Sequence, residues 1–117
     1  MDYSKPAFIL HEALTRAAGD ADLLKEAIGI LLEDAPLQLR TLRDAYGAHD
    51  LQTVQRLAHG LQGAVANLGA SSMAAGLRDL SHAARDKRED AIDPLLDRAH
   101  RDWTALEREL RTWVASP

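Results

Sequence analysis

Cysteine is missing from this chain altogether, which excludes a disulfide framework and any thiolate-ligated metal centre. Aromatics are scarce as well, at one Phe, two Tyr and two Trp, so a core would have to be built from Leu, Ile, Val and Ala. That composition suits helices packing on helices. No apolar run approaches the length that spans a bilayer, and the opening residues do not read as a secretory leader. No basic stripe stands out either. The formal charge is −4, and Arg and Lys alternate with Asp and Glu, as in Arg85-Asp86-Lys87-Arg88-Glu89-Asp90. Nucleic acid normally selects a basic face, so the balance argues against it, and that run reads as a solvated loop or helix end.

What is present is a helical period with clear punctuation. At 117 residues the chain is the size of one domain, 1–117, with one core. A short first helix is expected from about Pro6 to Ala18, with Leu10, Ala13, Leu14 and Ala17 on one face and Gly19-Asp20 as its stop. A second runs from about Ala21 to Tyr46, because Leu24, Ile28, Leu31, Ala35, Leu39 and Leu42 recur at steps of four and three. Pro36 interrupts its donors, which predicts a kink or a split, and the period continuing across it favours a kink.

Asp50 is placed to cap a third helix that reaches about Leu68, with Gly69 as a left-handed stop. Ser71 or Ser72 can cap a fourth to about Lys87, with Met73, Leu77, Leu80 and Ala84 inward. Asp93-Pro94 reads as the cap and first position of the last helix, with a start near Glu89 as the other choice. Its seam is Leu95, Leu96, Ala99, Trp103, Leu106, Leu110 and Trp113, which makes both tryptophans core anchors. No segment reads as a strand. The expected fold is all-α, an antiparallel four-helix bundle with a short extra N-terminal helix.

The third helix holds the informative residues. On a 100° wheel Leu51, Val54, Leu57, Ala58, Leu61, Val65 and Leu68 fall within roughly 60° of one direction, and His59 lies about 140° from Val54. His59 is therefore expected in solvent, beside Gln52, Gln55, Gly63 and Ala66. Gly60 and Gly63 stand close together where each costs roughly 1 kcal/mol against alanine. Low, open surface around the imidazole is a reason for them. An imidazole titrates near about pH 6.5 in water, so it is available as a nucleophile at neutral pH.

The run Ala58-His59-Gly60-Leu61-Gln62-Gly63, followed by Leu68-Gly69-Ala70, resembles the signature of histidine phosphotransfer (HPt) domains. So do Leu31-Leu32-Glu33-Asp34-Ala35-Pro36, Leu42-x-x-Ala45 and Asp50-Leu51, and the resemblance covers most of the chain. It implies a phosphorelay module: His59 accepts a phosphoryl group on Nε2 from a receiver-domain aspartate and passes it to another receiver. Gln62 would hydrogen-bond the phosphoryl group, Gly60 and Gly63 would give access, and Gln55 and Ala66 would lie on the docking face. The same resemblance makes Phe8 and Ile9 of the first helix a source of the apolar patch that docking needs.

The implied partners are receiver domains and a hybrid sensor kinase. The domain would bind no metal or cofactor of its own, with Mg²⁺ supplied by the receiver. The resemblance further implies a monomer without autonomous kinase activity, in the cytoplasm or as the cytoplasmic domain of a membrane-bound kinase. One position departs from the pattern, because the family usually has lysine where this chain has Gln62. The alternative is a degenerate module that binds a receiver or kinase without relaying phosphate.

The other histidines read more simply. His49 belongs to a turn, His11 and His100 flank apolar seams, and His82 projects from the fourth helix without flanking glycines. A supporting role for His82 is the one exception considered. A carboxylate-and-histidine metal bundle would need Glu-x-x-His on an inward face, and that motif does not occur.

Overall fold

The structure, a computed structural model, describes residues 7–116. Five helices follow one another: α1 (Leu10–Arg16), α2 (Ala21–Gly47), α3 (Leu51–Ala66), α4 (Ser71–Arg85) and α5 (Glu89–Ala115). Short turns join α2 to α5, so consecutive helices run antiparallel, and α5 closes the ring by packing back on α2. No strand occurs among the described residues. The architecture is the expected four-helix bundle with a short helix before it.

The predicted seams are the core. Leu24, Ile28, Leu31, Ala35, Leu39 and Leu42 of α2 are buried against Val54, Ala58, Leu61 and Val65 of α3, Met73, Leu77 and Leu80 of α4, and Ile92, Leu96, Leu106 and Leu110 of α5. α2 carries Pro36 as a single helix, since the missing donor costs one backbone bond while the apolar seam continues on both sides. α2 and α5 each have 27 residues against 16 and 15 for α3 and α4, so one pair is about 40 Å long and the other about 24 Å. The N-terminal segment and α1 cover core that the shorter pair leaves open.

Several boundaries differ from expectation for identifiable reasons. α1 begins at Leu10 because the N–H groups of Ala7 and Phe8 donate to the Glu109 carboxylate of α5, at 2.8 and 3.2 Å, instead of entering a helix. Pro6 lies outside the described residues. α4 starts at Ser71 with Ala70 before it, and no side chain caps it; the Ser71 hydroxyl turns back to the Gly69 carbonyl at 3.4 Å. α5 starts at Glu89, so Pro94 sits inside the helix rather than at its first position. Asp93 caps nothing and instead faces Arg43 of α2 at 3.6 Å, beside the Arg43–Asp97 pair.

The two turns around α3 fix its position. The Asp50 carboxylate accepts from the Thr53 N–H at 3.1 Å and from its hydroxyl at 2.6 Å, as a cap should. At the other end the Ala70 N–H donates to the Val65 carbonyl and the Gly69 N–H to Ala66, the paired bonds of a Schellman stop. Gly69 has φ +73°, and a Cβ there would come within 2.7 Å of the Glu12 carboxylate. Conformation is the main reason for glycine at that point; the Glu12 carboxylate could swing aside, and the Cβ atoms of Glu12 and Ile9, at 3.2 and 3.3 Å, would have to give slightly.

Candidate functional site

Because α3 is held at both ends with Val54, Ala58, Leu61 and Val65 inward, the remaining face must look outward. His59 is on it and is exposed. The ring takes part in no hydrogen bond among the described residues, so both nitrogens are open to a visitor. A Cβ added at Gly60 or at Gly63 would meet nothing within 4 Å. Neither glycine is demanded by packing inside the molecule. Each costs the helix about 1 kcal/mol against alanine.

On the α4 side His59 opens onto a groove of about 490 Å³, lined with it by Gln52, Gln55, Arg56, Ser81, His82 and Arg85. Two helices build it. The buried Ser81 hydroxyl donates to the Gln55 carbonyl at 3.3 Å and holds α4 against α3 one turn before His59. His82 and Arg85 follow on the same side of α4. Arg85 pairs with its neighbour Asp86, Nε to Oδ1 at 3.0 Å, and this pair raises the guanidinium pKa and lowers that of the carboxyl. Arg56 forms no ion pair among the described residues. The groove is thus polar and basic at its rim, a setting that suits an anion attached to the imidazole.

The predicted site residues divide. His59 and Gln55 line the groove together, while Gly60 and Gly63 are exposed on α3 outside it. Gln62 is half-buried and does not line the groove, and Ala66, one turn further along α3, is half-buried as well. Phe8 does not serve as docking surface. It is buried, with its ring 6.1 Å from that of Trp113 and tilted by 52°. Ile9 packs near Gly69, and a Cβ at that glycine would lie 3.3 Å from the Ile9 Cβ.

Arg56, Ser81 and Arg85 escaped the sequence reading. Arg56 could have been found by asking what lies one turn before His59; Ser81 and Arg85 depend on how α4 is rotated, which no local pattern gives. Among the described residues no three His, Asp or Glu side chains converge on a metal-sized site. No helix among them is long and apolar enough to cross a membrane.

Residues 26–114, which contain all of α3 and α4, most of α2 and nearly all of α5, match the family model of the Hpt domain. The chain belongs to the Hpt domain family. Its fold also matches the crystal structure of histidine-containing phosphotransfer protein B (HptB) from Pseudomonas aeruginosa PAO1. The TM-score is 0.87 at 21% sequence identity, over 95% of this chain and 96% of that one. No curated protein matches the sequence. Membership ties this chain to histidine phosphotransfer in two-component signalling, in which Hpt domains work with receiver and kinase partners. On α3 the exposed His59 is followed by glycine one and four residues later.

Proposed function

We propose that this domain is the histidine carrier of a phosphorelay, and that His59 takes a phosphoryl group from a receiver-domain aspartate and gives it to another receiver. The observation that carries the reading is the pair Gly60 and Gly63. Two helix-interior glycines, at which a Cβ would meet nothing within 4 Å, stand one and four residues after an exposed imidazole that makes no hydrogen bond among the described residues. A nucleophile that works inside another protein's active site needs that clearance.

The chemistry then follows. The Nε2 lone pair attacks the phosphorus of the aspartyl phosphate, the N–P bond forms, and the P–O bond to the aspartate breaks with its electron pair leaving on the carboxylate. The ring keeps its Nδ1 proton through the step and can release it to water afterwards. The reverse sequence delivers the group to the next receiver. Mg²⁺ belongs to the receiver in this scheme, and the domain contributes the nucleophile and its surroundings.

Docking needs apolar surface, and with Phe8 buried the exposed aliphatic residues of α2 are the available source. Leu23, Ile30 and Leu37 recur every seven residues and are 52%, 57% and 57% exposed. Leu23 and Ala27 share a hollow with Asn67 and Leu68 at the end of α3, so this stripe adjoins the helix that bears His59. A transient interface of modest area can be assembled from α2 and α3 together.

The test is a transfer assay. A phosphorylated receiver domain and Mg²⁺ are mixed with the wild-type chain and with His59→Gln. The carrier reading expects an acid-labile, base-stable label on the wild type and none on the variant. Tight binding without any label, across several receivers, is the outcome expected of the non-relaying module instead.

A further inference from the structure

The groove beside His59 contains a charge that the sequence pattern did not call for. Gln62 lies one turn C-terminal to His59 and about 60° around the helix from it; Arg56 lies one turn N-terminal and about 60° around the other way. Both positions neighbour His59, since residues three apart on a helix stand about 5–6 Å from each other at Cβ. Only Arg56 opens onto the groove with His59.

The other charges there are committed or conditional. Arg85 is held by Asp86 through Nε and Nη2, at 3.0 and 3.4 Å. His82 carries charge only when protonated. The nearest carboxylate on α3 is Asp50, six residues earlier, which feels Arg56 only as a minor influence and spends its own oxygens on Thr53. No charged residue of α2 lines the groove.

We infer that Arg56 is the phosphoryl-binding cation of this domain, taking from the N-terminal side of His59 the role that a positive side chain at position 62 would take from the C-terminal side. The inference rests on the carrier reading above and adds to it the group that meets the transferred phosphoryl oxygens. A guanidinium is suited to this, because it stays charged and offers paired donors to two oxygens at once. Once the N–P bond has formed, the dianionic phosphoryl group on Nε2 lies within reach of a side chain of this length. Gln62, half-buried and uncharged, is left as a minor donor at most.

The test separates the phosphoryl contact from docking by using a small donor as well as a protein one. With phosphoramidate, Nε2 bonds to phosphorus as the donor's P–N bond breaks and ammonia leaves, so no receiver is needed. Phosphorus NMR then follows the titration of the phosphoryl group on wild type, Arg56→Gln, Arg56→Lys and Arg56→Gln/Gln62→Lys. Removal of a nearby exposed cation should raise the titration midpoint by roughly a few tenths of a pH unit, less at high salt. It should also lower the phosphohistidine share at equilibrium with a receiver by roughly 2- to 5-fold.

Arg56→Lys and the double variant should restore most of both effects. Arg101→Gln, exposed on α5, which does not pack against α3, controls for net charge. The inference is overturned if Arg56→Gln leaves the midpoint and the equilibrium unmoved, or if Arg101→Gln moves them equally. A wild-type chain that accepts phosphate from neither donor overturns the carrier reading along with it.

Discussion

The Ser81 hydroxyl donates to the Gln55 carbonyl at 3.3 Å, the carbonyl that the helical ladder of α3 pairs with the His59 N–H. The backbone of His59 is thereby tied to the neighbouring helix through one buried side chain. Ser81→Ala removes the donor but leaves the carbonyl its ladder partner. The expected loss is about 0.5–1.5 kcal/mol in a urea titration, with the fold intact.

Gly60 and Gly63 give an opposed pair of outcomes. Since a Cβ at either meets nothing within 4 Å, Gly60→Ala and Gly63→Ala should each stabilise the domain by about 1 kcal/mol. Gly63→Leu fills the surface beside His59 and should slow phosphoryl transfer from a receiver while leaving the melting temperature at or above that of wild type. Transfer at the wild-type rate in Gly63→Leu would remove the reason given for these glycines.

On α2, Ile30→Asp tests the docking face. The side chain is 57% exposed, so the change should alter stability by no more than about 0.5 kcal/mol. Binding to a receiver, followed by calorimetry, should weaken by about tenfold if Ile30 sits inside the contact. Transfer from phosphoramidate should not change.

The cap of α3 should be visible in pH dependence. The hydrogen bonds from Thr53 hold the Asp50 carboxyl below its ordinary value of 3.8. A carboxyl depressed in the folded state contributes stability that is fully present above its unfolded value and is lost as pH falls through the folded one. Asp50→Ala should therefore melt lower than wild type at pH 7, and the gap should narrow once the pH drops below about 4, measured by circular dichroism.

Lys87 offers a stabilising change. It ends α4 at φ +58°, with the Arg88 N–H on the Ala83 carbonyl and its own N–H on Ala84, the same stop that Gly69 makes for α3. Lys87→Gly should raise stability by about 0.5–1 kcal/mol through relief of the left-handed conformation.

The bundle was legible because each helix announces its own inner face. The four-three seams of α2, α3 and α5 needed no knowledge of partners, and Asp50 and Gly69 marked the ends of α3 through chemistry local to the chain. Asp93-Pro94 misled because a cap followed by proline looks the same whether or not a helix has already begun; Arg43, fifty residues away, decided what Asp93 would bind. The N-terminal segment was read as helix for a similar reason, since nothing near Ala7 and Phe8 shows that Glu109 will take their N–H groups. Of the site, His59 and its glycines could be placed from one helix alone. The groove could not, because Ser81, His82 and Arg85 reach it only through the rotation of α4 against α3.

The central claim is that the phosphoryl group resides on Nε2 of His59. Phosphorylation of the intact chain by a phosphorylated receiver, followed by phosphorus–proton correlation NMR on the product, locates it directly. The account predicts one phosphoramidate signal coupled to the ring protons of a single histidine in the Nε2 pattern, absent from His59→Gln. A signal that persists in His59→Gln, on His82 or any other residue, would contradict it.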